Sequence, residues 1–167
     1  MTNMAWKAKE PMKPEVALER LEAMCARAEH CRAELQQKLY GWMVAPAHAE
    51  RILATLEKNR FFDDRRFAGV YCRDKALHAR WGRRKIIFGL KAKRISSDII
   101  SEAVGAIDED EYRSVMIDLL RYKASSLKEG NTFDGRTKLY RFGVQRGYEP
   151  ELVAAALRSG ILWPGEK

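Results

Sequence analysis

Apolar residues recur three and four positions apart through most of the chain, and this spacing predicts helices from near the start to near the end. Leu18, Leu21, Met24, Cys25 and Ala28 mark an amphipathic helix over residues 15–29, with Pro14 in its opening turn. Leu35 and Leu39 continue the pattern on a second, short helix ending near Gly41. Val44-Ala45-Pro46 forms a turn, because a residue before proline is pushed out of the helical region. A third helix carries Ala49, Ile52, Leu53 and Leu56 and ends around Asn59. Asp63 or Asp64 then caps a helix bearing Phe67, Val70 and Tyr71. Gly82 breaks the pattern, and a helix over about residues 83–93 follows, with Ile86 and Leu90 facing inward. The next helix begins at Ser96 or Ser97, with Asp98 favourably placed in its first turn. A longer helix opens near Asp108 and carries Tyr112, Val115, Met116 and Leu119, until residues 130–135 interrupt it. The closing pair covers residues 136–146, ended by Gly147 as a left-handed cap, and residues 150–160. No segment alternates polar and apolar residues for long, so no sheet is expected.

The apolar pattern also repeats, with a spacing of 51 and then 53 residues. Leu35, Ile86 and Leu139 share a column, as do Val44, Ile95 and Tyr148; Ala49, Ile100 and Val153; Ile52, Ala103 and Ala156; and Leu53, Val104 and Leu157. A further column is apolar twice and then glycine: Leu39, Leu90 and Gly143. A period of this size is the mark of stacked helical units, each too small to bury a good core alone. The expected fold is all-α: three tandem three-helix repeats forming an elongated, curved chain. Residues 1–13, with Trp6 as the only large anchor, read as a flexible N-terminal arm. Repeat 1 spans residues 14–62, repeat 2 residues 63–107, and repeat 3 with a C-terminal tail residues 108–167.

Charge changes this picture, because the net +8 sits entirely in the middle. Residues 1–64 hold 10 basic and 10 acidic side chains, and residues 108–167 again hold 10 of each. Residues 65–107 hold 11 basic and only 3 acidic ones. No carboxylate lies between Lys75 and Ser97 to offset Arg80, Arg83, Arg84, Lys85, Lys91, Lys93 and Arg94. Uncompensated charge repels itself in a folded unit, so a polyanion or an acidic protein groove is the expected partner. On a helix, Arg84 and Lys91 are seven apart and Arg80 precedes Arg84 by four, which places all three on one stripe opposite Ile86 and Leu90. Arg83 and Lys93 extend the surface on either side. Trp81 and Phe88 suit stacking on single strands, but packing is the preferred reading of both rings. Phe133, Tyr140, Phe142 and Tyr148 are likewise assigned to helix junctions. Arg136, Lys138, Arg141 and Arg146 form a second basic cluster, partly neutralised by Glu149 and Glu151.

Candidate chemistry is sparse. Three cysteines, Cys25, Cys31 and Cys72, follow no framework spacing, as expected of free thiols in a reducing cytoplasm. Cys25, His30 and Cys31 lie close together, but no second ligand pair follows, so no metal is assigned. His30, His48 and His78 have no carboxylate at a telling spacing, and the Gly130 to Gly135 run lacks the lysine and hydroxyl of a phosphate loop. No catalytic residue and no cofactor is therefore expected, and the chain reads as a non-enzyme. No apolar run approaches the ~20 residues of a membrane helix. No apolar core marks the first residues as a secretory signal, so the expected location is the cytoplasm.

Phe61-Phe62-Asp63-Asp64-Arg65-Arg66-Phe67-Ala68 resembles the signature at the first-to-second repeat junction of RecX family regulatory proteins. Gly82 followed by Arg84, Ile86, Leu90, Lys93, Arg94 and Ile95 is similar to that family's middle-repeat helix pair. Arg141-Phe142 with Arg146-Gly147-Tyr148 looks like its third-repeat ending. The likeness covers about residues 14–160. Two positions depart from the pattern: Arg94 stands where a glycine is usual, and Gly143 replaces a leucine, a change expected to loosen one helix contact.

The resemblance implies a modulator of RecA that docks along the groove of the RecA filament on single-stranded DNA and restrains recombination, repair and the SOS response. Single-stranded DNA is the expected nucleic acid, duplex DNA is left open, no membrane is involved and a monomer is expected. Arg80, Arg84 and Lys91 are the leading candidates for contact with DNA phosphates or an acidic RecA surface, extended by Arg83, Lys93 and Arg94. Arg65, Arg66 and Arg73 on the preceding helix come second. The alternative is a sequence-independent nucleic-acid-binding helical module without a recombinase partner.

Overall fold

The computed structural model describes residues 10–163, and these are helical apart from short connections, with no strand among the described residues. The helices are α1 (Pro14–Cys25), α2 (Arg32–Gly41), α3 (Pro46–Lys58), α4 (Asp64–Arg73), α5 (Arg83–Ala92), α6 (Ser97–Gly105), α7 (Glu109–Ser125), α8 (Phe133–Gln145) and α9 (Pro150–Arg158). A π-helical turn, Asp74–His78, continues α4. Trp6 and most of the expected arm lie outside the described residues. The end of that arm is tied down: the Met12 amide donates to the Trp42 carbonyl at 2.9 Å, and Met12 packs on the first core.

The repeat is a repeat of backbone geometry as well as of sequence. After α2, α5 and α8 the chain turns through Met43, Arg94 and Gly147, all in the left-handed region with φ of 55°, 58° and 92°. In each turn that residue's amide donates to Tyr40, Lys91 or Val144, and the next amide donates back to Leu39, Leu90 or Gly143 at 3.1–3.2 Å. This pair of hydrogen bonds satisfies the last carbonyls of a helix and reverses the chain. The columns fall inward as their spacing requires. Leu35, Ile86 and Leu139 are fully buried, as are Leu39 and Leu90, and Val44, Ile95 and Tyr148 are buried after the turn. Gly143 departs from expectation. A Cβ there would sit 2.9 Å from both Val153 methyls and 3.3 Å from Leu120, so the missing side chain draws α8 close to its neighbours rather than loosening the contact.

The chain divides into two compact units, one ending at Phe67 and the other starting at Ala68. The first encloses Ala17, Leu21, Leu35, Leu39, Leu53, Leu56 and Phe62. Its paired aspartates cap two different helices. Asp63 Oδ1 accepts from the Arg66 amide at 2.9 Å and so caps α4, while Asp64 Oδ1 accepts from the Arg32 amide at 2.8 Å and caps α2, whose own Cys31 supplies no side-chain cap. The second unit holds α5 to α9 with the end of α4. Three expectations fail on side-chain direction: Val70 is 48% exposed, Phe133 84% and Tyr140 37%, whereas Tyr148 is fully buried. Phe133 stands clear because α8 starts earlier than the apolar pattern predicts, capped by Thr132 Oγ1 accepting from the Gly135 amide at 3.2 Å.

Candidate functional site

Burial of Ile86 and Leu90 fixes the rotation of α5, and the opposite face then carries Arg84, Phe88 and Lys91, all exposed. Residues four and three apart are neighbours on a helix, so the three form one stripe. The start of α5 is held by repeat 3. The Gly82 amide donates to the Arg146 carbonyl at 2.9 Å, the Arg84 amide to the Gly147 carbonyl at 3.1 Å, and the Arg83 amide to the Tyr112 hydroxyl at 2.9 Å. Gly82 itself offers no side-chain cap, because a Cβ there would fall 2.0 Å from the Gly147 carbonyl carbon. Backbone of one repeat thus packs directly on backbone of the next.

Arg83 belongs to that junction and not to the outer face. Its guanidinium donates to Glu109 at 2.6 Å and to Glu149 at 3.2 Å and lies 4.1 Å over the Tyr112 ring. Tyr112 donates its hydroxyl proton to Glu149 at 2.7 Å, and its ring meets that of Tyr148 at 5.4 Å. Burial, then the Glu149 hydrogen bond, push the Tyr112 phenol up; hydrogen bonds from Arg113 and Arg83 hold the Glu109 carboxyl low. Arg146 is also internal: its guanidinium donates to the Ala79 and Arg80 carbonyls. This use of Arg146 fixes the chain around Arg80.

Arg80 is exposed but lies outside α5, in the connection before it, with φ of 54°, so it does not share a helical stripe with Arg84. Lys93 closes α5, its ammonium 6.0 Å from the Tyr71 ring, and exposed Arg94 occupies the left-handed turn. Trp81 is half-buried with the ammonium groups of Lys85 and Lys75 over its ring at 4.3 and 5.4 Å, so its face is already occupied. Arg65 and Arg66 are exposed on α4 in the first unit, where Arg66 pairs with Glu29 at 2.6 Å. Arg73 ends α4 in the second unit and lines a 290 Å³ cavity with Cys72, Leu77, Ile107 and Glu111.

Phe88, for which packing was also the expected role, is exposed by the fold. Phe88 is 75% exposed, and the missed signal was its register, one turn from both Arg84 and Lys91.

No group of three metal-ligating side chains occurs among the described residues. No disulfide joins Cys25, Cys31 or Cys72, and burial pushes the Cys72 thiol up to about 11, which keeps it protonated and unreactive. No helix among the described residues is long and apolar enough to cross a membrane. The outer face of α5 presents two exposed cations, Arg84 and Lys91, and the exposed ring of Phe88.

A family model described as RecX, second three-helix domain, matches residues 63–104, which span α4 to α6. A regulatory protein RecX of Herminiimonas arsenicoxydans is 31% identical over 131 residues, covering 78% of this chain and 83% of that protein. The chain belongs to the RecX family. A RecX regulatory protein of Pelodictyon phaeoclathratiforme is 30% identical over 138 residues, again covering 82% of the relative. Against a RecX regulatory protein of Clostridium botulinum, the chain spans 50% of the relative's length at 30% identity. The crystal structure of RecX from Lactobacillus salivarius superposes with a TM-score of 0.77 at 14% identity, over 87% of this chain and 95% of that one. A second RecX crystal structure gives 0.78 over 87% and 71%. The family is one of regulators, and the all-helical repeat is its fold.

Proposed function

We propose that this RecX family member binds the RecA filament on single-stranded DNA and restrains its ATPase and recombinase activity, with the outer face of α5 as the central contact. The observation that carries the reading is that Arg84 and Lys91 stand exposed on a helix with no carboxylate of its own. Arg80, Lys93 and Arg94 flank that face, and Arg65 and Arg73 are secondary contacts. Arg83 and Arg66 are left out, because Glu109, Glu149 and Glu29 hold them. The cytoplasm is the compartment this role requires.

The test is a folded triple variant, Arg80→Glu, Arg84→Glu and Lys91→Glu. It is expected to lose inhibition of RecA ATPase and strand exchange while its helical circular dichroism stays intact. Inhibition equal to the parent's would overturn the reading. Salt separates it from a plain nucleic-acid-binding module. Phosphate binding alone falls with a log–log slope of roughly −0.9 per phosphate on duplex or −0.7 on single strands, whereas filament docking keeps a component that depends on RecA.

A further inference from the structure

We propose that Phe88 is a base-stacking residue and that the polyanion received by α5 is single-stranded nucleic acid, an inference that rests on the proposed role of this face. The ring is 75% exposed, and the inward positions on either side of it, Ile86 and Leu90, are already fully buried. Phe88 is therefore not needed for the core. Its surroundings set it apart from the other exposed rings among the described residues. Arg84 and Lys85 lie one turn before it and Lys91 one turn after it, with no carboxylate on the helix. Tyr122 follows Asp118 by one turn, Phe133 follows Glu129 and precedes Asp134, Tyr40 has glutamines in place of cations, and Tyr140, only 37% exposed, has Arg136 one turn before it but Gly143 and Val144 one turn after.

A cation, an apolar ring and a cation along one face match a strand in which phosphates alternate with unpaired bases. Cations take the backbone, and the ring offers its face to a base whatever the sequence. A duplex keeps its bases stacked on one another, so only a single strand can use the ring. An acidic protein groove would use the same cations but would take Phe88 into a pocket, not against a base.

The experiment compares binding of the full chain to oligothymidylate and to an abasic strand of equal length, at matched salt, by fluorescence anisotropy. Phe88→Ala is expected to weaken oligothymidylate binding about 5- to 150-fold while leaving abasic binding and the salt slope unchanged. Phe88→Trp is expected to restore the affinity. Since Phe88 lies outside the core, unchanged helical dichroism and urea midpoint confirm that each variant is folded. If the parent binds both strands equally, or if Phe88→Ala leaves oligothymidylate binding intact while RecA inhibition falls, the ring meets protein and the inference is overturned. Failure of the broader reading shows separately, as Arg84→Glu with Lys91→Glu leaving RecA inhibition unchanged.

Discussion

Removal of one oxygen atom tests how α5 is held. Tyr112 is fully buried, and its hydroxyl both donates to Glu149 at 2.7 Å and accepts from the Arg83 amide at 2.9 Å. Tyr112→Phe keeps the ring, its contact with Tyr148 and the guanidinium above it, and loses only those two bonds. A hydrogen bond to a charged group contributes about 1.5–3 kcal/mol, and a donor left unsatisfied costs about 1–3 kcal/mol. The two overlap, because Glu149 keeps Arg83 as a partner and Arg83 is only half-buried. A net loss of about 2–3 kcal/mol is expected, a fall in Tm of roughly 4–12 °C for a chain of this size. The control is Tyr148→Phe. That hydroxyl is buried too, but it has no hydrogen-bond partner among the described residues, so its loss is expected to cost under about 0.5 kcal/mol.

Urea and thermal midpoints give the magnitudes, and hydrogen exchange at the Arg83 amide gives the location. Exchange there should quicken in Tyr112→Phe and stay unchanged in Tyr148→Phe. The pH dependence adds a signed check. Burial pushes the Tyr148 phenol from its ordinary 10 up to about 12, so its contribution is whole below pH 10 and lost as pH rises towards 12. The parent should therefore lose stability over that interval more steeply than Tyr148→Phe. Equal midpoints for the two phenylalanine variants would refute the capping role assigned to Tyr112.

Two further substitutions test the packing and the turns. Leu90→Ala truncates a fully buried side chain in a repeat column and should cost about 2–5 kcal/mol by urea denaturation; a midpoint equal to the parent's would show the helix rotated otherwise. Arg94→Gly relieves a side chain at φ of 58° and should raise stability by about 0.5–1 kcal/mol, whereas a fall in the thermal midpoint would contradict the turn geometry.

Local signals carried the fold. Helical spacing, the turn before Pro46, the aspartates at Asp63 and Asp64 and the period of the repeat all act within a few residues or recur along the line, so each was legible before any coordinates. What stayed hidden depends on partners far along the chain. Arg83 and Arg84 are the same residue type in adjacent positions, yet about 100° of helical rotation points one at Glu149, 66 residues away, and the other at solvent. Phe88 failed for the opposite reason. An isolated ring is more often packed than exposed, and only the burial of Ile86 and Leu90 on the other side decides the matter. The π-helical turn after α4 left no apolar trace to read.

The electrostatics of the first turn of α5 explain why the junction is so heavily bonded. Arg83, Arg84 and Lys85 sit at the positive end of the helix dipole with no acid among them, an arrangement that costs about 0.3–1 kcal/mol per exposed cation. The helices on either side, α4 and α6, each carry an aspartate in the first turn. Repeat 3 offsets the strain at one point only: Glu109 and Glu149 neutralise Arg83, while Tyr112 and Gly147 accept the amides of Arg83 and Arg84. Since those amides are already bonded, an incoming anion meets side chains rather than the helix backbone. Arg84 and Lys85 are left without an acid on their own helix, where a fold selected for stability alone would place one. Replacing Arg84 by glutamate therefore removes a repulsion instead of creating one, and loss of RecA inhibition in that variant would be loss of contact and not of structure.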